Sequence, residues 1–156
     1  MDEKTNVMRI LDQKKVKYTE YTYLNTDAVG GQEVAEVLGE DANKVFKTLV
    51  TVGKTGNHYV FLVPVNNELN LKNESKAVGE KKVEMIKSKE LLPLTGYIHG
   101  GCSPIGMKKF FKTTIHESAK DFDTIMFSGG KIGYQVETTL DGLKKVIRFD
   151  LADIAE

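Results

Sequence analysis

The 156-residue sequence predicts an α+β fold: a mainly antiparallel, barrel-like mixed sheet with several flanking helices. Many short strand signals, hairpin-type links between some of them, and helical segments scattered among them lead to that class. Strictly alternating βαβ units are absent, which argues against a doubly wound sheet. No fixed-period repeat or low-complexity tract divides the chain, so residues 1–156 are expected to form one domain.

Thr5 or Asn6 is placed to cap a first helix, with Val7, Ile10, Leu11 and Lys14 at helical spacing. Residues 16–23 read as a strand, with Val16, Tyr18, Glu20 and Thr22 on one side. A second helix over Gln32–Leu38 stops at Gly39. Val45–Val52 and His58–Val65 are the two strongest strand signals, and the link Gly53–Asn57 has hairpin spacing. Residues 69–78 read as a helix ended by Gly79, and Ser88 can cap another through Leu92, with Pro93 as its stop. Short strands follow near Val83–Ile86, Gly96–His99, Thr113–His116, Thr124–Ser128 and Tyr134–Thr138. A helix near Thr139–Lys145 and a strand at Val146–Phe149 complete the expectation.

Hydrophobic residues make up 40% and charged ones 28%, with 3 Pro, so the whole chain is expected to fold. The longest apolar run, Tyr59–Val65, is far too short to cross a bilayer, and the first ten residues do not read as a secretory signal. One cysteine supports neither an internal disulfide nor a thiolate zinc cage. The expected protein is cytoplasmic, with no membrane partner. Net charge is zero but unevenly spread: −4 over residues 1–42, +5 over 72–112 and −3 over 115–156. Such alternation can place a phosphate-attracting face on a neutral protein, and the same pattern also suits a solvated lysine-rich surface. Twenty of the 22 cations are lysines, poorly suited to bidentate base reading.

His58, His99 and His116 are far apart and never at metal-ligand spacing, so neither metal nor cofactor is expected. Cys102 lies in the glycine-rich turn Gly100–Gly106, where backbone amides can face an anion, yet no base is recognisable beside it. A second such turn runs from Ser128 to Gly133. Neither is a Walker or dinucleotide motif; each suits tight-turn geometry as well as a pocket wall. Lys47 is the oddest single residue, since the period of two sets it on one face with Val45 and Leu49. Two readings stand for it: a charged guard on an edge strand, or a partly buried ammonium facing an anionic group.

The segments Val45–Val50, Asn67–Lys72, Lys82–Met85, Gly96–Gly106 and Ser128–Gly133 together resemble the YbaK/EbsC family of aminoacyl-tRNA deacylases. That family is related to the editing domain inserted in bacterial prolyl-tRNA synthetases. The resemblance runs from the first helix to the end of the sequence. It implies a barrel-like α+β fold and hydrolysis of mischarged tRNA in trans, most typically cysteine attached to proline tRNA. It places the family's key lysine on Lys47, followed by Thr48, and its aromatic residue on Tyr23. The substrate loop falls on Gly100 and Gly101 with Ser103 and Pro104 behind, and the second loop on Ser128, Gly129, Gly130, Lys131 and Gly133. Some members carry an aspartate two residues after that last glycine, where this chain has Gln135.

An aminoacyl ester is already activated, so a deacylase needs a polarised carbonyl, a placed nucleophile and little else. In the family picture loop amides near Gly100–Gly101 serve the oxyanion, and Lys47 holds a phosphate or sugar of the acceptor end. The thiol of a cysteinyl substrate can attack its own carbonyl, a lyase-like step; water directed by the ribose hydroxyl is the competing route. The implied partner is a tRNA acceptor end carrying a mischarged amino acid, with prolyl-tRNA synthetase as a further candidate. A non-catalytic module that holds acceptor ends, or a deacylase for another amino acid such as alanine, fits the same residues.

Overall fold

In the computed structural model, which describes residues 4–23 and 31–156, Thr5 Oγ1 accepts the Met8 amide at 3.2 Å and starts helix α1, Asn6–Gln13. Val7, Met8 and Leu11 on its inner face are completely buried. The exit is a tight turn with Lys15 at φ 57 and the Val16 amide on the Leu11 carbonyl. The turn occupies Lys14 and Lys15, residues 16–18 pair with no described strand, and strand β1 runs over Thr19–Thr22 rather than from residue 16.

Helix α2 (Gly31–Leu38) precedes a hairpin of β2 (Phe46–Gly53) and β3 (His58–Pro64), as the spacing predicted. β3 is apolar on both sides because it is covered on both: Val60 and Leu62 enter the main core, while Tyr59, Phe61 and Val63 enter a second one. Helix α3 (Leu71–Val78) is capped by the Asn70 side chain and closed by left-handed Gly79. β4 (Val83–Met85) then pairs with the far end of β2. Helix α4 (Ser88–Thr95) continues through Pro93, which costs it one backbone bond on an exposed side, and ends instead at left-handed Gly96. Gly96–His99 is no strand. Buried Tyr97 is anchored there by its hydroxyl on the Ile105 carbonyl, within a turn.

β5 (Lys112–His116), β6 (Ile125–Ser128), β7 (Tyr134–Thr138) and α5 (Leu140–Lys144) follow close to expectation. The last strand, β8, lies at Asp150–Ala152 instead of Val146–Phe149. The Val146 and Ile147 amides bond back to Leu143, and this turn delays the strand.

The described strands form two sheets, β1-β7-β6 and β4-β2-β3-β5-β8. β3–β5 and β5–β8 are parallel and the other four pairings antiparallel. One bridge, Val45 to Met126, ties the sheets together. The fold is thus α+β with mixed sheets, but the sheets do not close into a barrel among the described residues. The hairpin-based expectation did not foresee the two parallel pairings, and the larger sheet ends in the short outer strands β4 and β8.

Candidate active site

The two sheets part beside the start of β2, and a cavity of about 200 Å³ opens there. Val45 to Leu49 form one wall with Val65; Tyr23, Ser128 and Gln135 come from the other sheet's side; Val34 of α2, Leu91 of α4 and residues His99, Gly100 and Cys102 complete the lining. β4 pairs with β2 only at Thr51–Gly53, so at Lys47 one side of β2 pairs with Val63 of β3 while the other is left open. Lys47 is half-buried on the cavity wall.

Two polar atoms in this lining are buried without a protein partner: Thr48 Oγ1 and Gln135 Oε1. Buried polar atoms are normally satisfied, so two exceptions on lining residues single out this wall within the fold, although neither atom itself is open to the cavity. Among the described lining residues Lys47 is the sole Lys or Arg, and no carboxylate is present. The site therefore suits an electron-rich or anionic group. At about 200 Å³ it is smaller than the pockets that take drug-sized ligands, which fits an aminoacyl group better than a whole nucleotide.

The two glycine turns singled out in the sequence meet each other. A Cβ on Gly101 would come within 3.0 Å of the Ile132 amide nitrogen and 3.2 Å of the Lys131 carbonyl carbon. Gly130, at φ 92, packs so tightly that its Cβ would meet Val7 at 2.7 Å, and one on Gly129 would press on Tyr134 at 3.1 Å. These glycines, with Lys131 and Gly133, are not in the lining; they bring the loops together behind it. Gly133 accepts the Tyr23 amide at 3.0 Å, fixing the aromatic residue that does line the cavity. Ser103 is fully buried and its hydroxyl accepts the Ile105 amide at 3.4 Å, while Ser128 lines the cavity and accepts the Gly130 amide at 3.1 Å. The Gly101 amide donates to the Ile98 carbonyl at 3.0 Å and is committed there, whereas Gly100 faces the cavity.

Burial pushes the Cys102 thiol up to about 12, so it stays protonated at neutral pH although it touches the cavity. Among the described residues no group of three or more His, Cys, Asp or Glu is placed to hold a metal ion. Sequence reasoning gave His99 no place at the site and left Gln135 without a role. The only local signal for His99 is its position directly before the glycine pair. Gln135 reaches the cavity through the pairing of β7 with β1, which periodicity cannot reveal.

Residues 26–146 match the family model of the aminoacyl-tRNA editing domain. The chain is 45% identical over 153 residues to EbsC of Enterococcus faecalis, whose name describes a Cys-tRNA(Pro)/Cys-tRNA(Cys) deacylase; the match covers 97% of this chain and 93% of that protein. It is 27% identical over 103 residues to the proline–tRNA ligase of Thermosipho melanesiensis, covering 66% of this chain and 18% of the ligase. Two solved structures share the fold. One, titled as hypothetical protein APE2540, has a TM-score of 0.88 at 20% identity over 97% of this chain and 100% of that one. The other, described as a trans-editing enzyme for prolyl tRNA synthetase, has a TM-score of 0.80 at 24% identity over 97% and 98%.

Proposed function

We propose, for a chain that belongs to the aminoacyl-tRNA editing domain family, that it deacylates mischarged tRNA in trans, with Cys-tRNA(Pro) as its main substrate. The observation that carries this is the small cavity with one lysine, two unpartnered polar atoms in its wall and a protonated thiol. A pocket built this way can position an ester but offers no evident protein nucleophile. We read residues 1–156 as one editing domain acting in the cytoplasm, with prolyl-tRNA synthetase as a partner that supplies the mischarged product.

In this reading Lys47 holds a phosphate or sugar oxygen of the 3′ end by a charge-assisted hydrogen bond. The Gly100 amide faces the ester carbonyl, where a donor aimed at developing negative charge lowers the barrier. Thr48 and Gln135 help to shape the space for the amino acid, and Tyr23 closes the cavity from the β1 side. The substrate thiol attacks its own carbonyl carbon: a C–S bond forms, the C–O bond to ribose breaks, and the thiol proton passes to the departing ribose oxygen. Water then opens the cyclic thioester to free cysteine. Holding thiol and carbonyl in a reactive geometry is most of what the protein must supply.

The deciding experiment incubates pure protein with a panel of mischarged tRNAs and measures free amino acid. Multiple-turnover release of cysteine from Cys-tRNA(Pro) is expected. Stoichiometric binding without release would make the protein a holder of acceptor ends, and faster release of alanine would move the substrate assignment.

A further inference from the structure

The end of the five-stranded sheet away from the cavity gathers cations. β3, β5 and β8 run parallel and so begin at one common end, where β2 finishes and β4 starts. Lys82 directly precedes β4, Lys54 directly follows β2, Lys112 opens β5, and Arg148 lies two residues before β8. Thr114 pairs with Asp150, so the register carried back two residues sets Lys112 beside Arg148. Both line one groove together with Phe110, which is 59% exposed. An adjoining groove shares Phe110 and Arg148 and adds Lys144 and Lys145. Toward the β4 side of the same end, Lys81 joins Lys54 and Lys82 in a third hollow. Between them the ring of His58, at the start of β3, lies 5.6 Å from that of Phe111.

The carboxylates among these linings are Glu84, ion-paired with Lys82 at 2.9 Å, and Asp150. Cations outnumber them clearly. Adjacent strands lie about 4.8 Å apart, so five strand ends spread the charges over roughly 19 Å. A row of that length matches several successive phosphates. Arg148 and the lysines around exposed Phe110 add charged donors suited to backbone phosphates. Lys47 stands five residues along β2 from Val52, about 17 Å from this end. A nucleic acid that places its terminal residue in the cavity can therefore meet this rim only with a part further along its chain.

We propose that this rim is a docking surface for the sugar–phosphate backbone of the tRNA acceptor stem, separate from the cavity that takes the 3′ end. The identity of the RNA rests on the deacylase reading; the cationic surface does not. The test uses Lys112→Glu/Arg148→Glu in the full chain, with Lys144→Glu/Lys145→Glu as a second variant should the first fold poorly. Binding of tRNA and of a trinucleotide matching its 3′ end is measured against salt, beside hydrolysis of an aminoacyl ester of adenosine.

Expected is at least a tenfold loss in tRNA affinity at 0.1 M salt, with the slope of log K against log salt falling by about two. Trinucleotide binding and adenosine-ester hydrolysis should not change. Unchanged tRNA affinity in folded variants overturns the proposal, as does an equal loss for the trinucleotide. If the wild-type protein releases cysteine from neither Cys-tRNA(Pro) nor the adenosine ester, the deacylase reading fails, while the RNA-binding comparison still decides the rim.

Discussion

Lys47 stands where β2 has lost one neighbour, so its ammonium meets whatever enters the cavity. Lys47→Ala should fold normally and lose at least tenfold in deacylation, because one charge-assisted contact is worth about 1.5–3 kcal/mol. Single-turnover rates beside a melting curve check this, and a near-wild-type rate would return the residue to an edge-guard role. Cys102 presents the opposite case, a thiol that burial holds protonated within reach of the substrate. Cys102→Ala should keep most activity on cysteinyl-tRNA, and the wild-type protein should act far more slowly on an alanyl ester of the same tRNA. A folded but inactive Cys102→Ala would make the protein sulfur the nucleophile. Equal rates on the two esters would remove substrate assistance. Periodicity left Lys47 with two readings, since alternation says which face a side chain takes and nothing of what lies beyond it. Only the resemblance singled out the cavity role.

The elements that were legible are those whose hydrogen bonds are local. Thr5 caps α1, Asn70 and Gly79 bound α3, and the β2–β3 hairpin closes over its own turn. Two were misplaced: Gly96–His99, where Tyr97 is held by the Ile105 carbonyl, and β8, which starts only after a turn binding Val146 and Ile147 back to Leu143 that the apolar pattern did not signal. The two glycine loops were visible as compositions but not as partners. Their meeting predicts that Gly101→Ala will part them by a few tenths of an ångström, since the added Cβ would press on backbone rather than on a flexible side chain. A stability loss of about 1–3 kcal/mol should accompany reduced deacylation. Denaturant midpoints and initial rates test this together; a variant matching wild type in both would show that the loops approach less closely than described. A second tie between elements is Glu137 of β7. It accepts Tyr21 of β1 at 2.7 Å and Thr124 beside β6, and pairs with Lys44, which precedes β2.

At the scale of the molecule, one buried group couples stability to pH. Glu74 of α3 is fully buried with no cation among the described residues beside it, and burial pushes its carboxyl up to about 7 against a smaller opposing contribution from Thr51. The folded chain therefore keeps a proton that the unfolded chain releases near 4.5, and stability falls as pH rises from about 4.5 to 7 before levelling. Glu74→Gln should flatten that slope and be more stable than wild type at pH 8 by about 1–3 kcal/mol, with little difference at pH 4. Urea midpoints at the two pH values measure it, and parallel slopes in both proteins would refute it. The charge pattern in the sequence was only partly informative at this scale. The +5 stretch supplies Lys81, Lys82 and Lys112, but Lys144, Lys145 and Arg148 come from a stretch that is net negative. Windows along the chain cannot see an assembly made by parallel strands. The same connectivity bears on how the protein comes into being. One wall of the cavity is built by Tyr23 and Gln135 together, and Tyr21 and Glu137 beside them are 116 residues apart. Contacts so distant in sequence slow the search for the native state toward milliseconds or longer. A nascent chain emerging from the ribosome would pair β2 with β3 early, yet it would have no working cleft until β7 had been synthesised and had found β1.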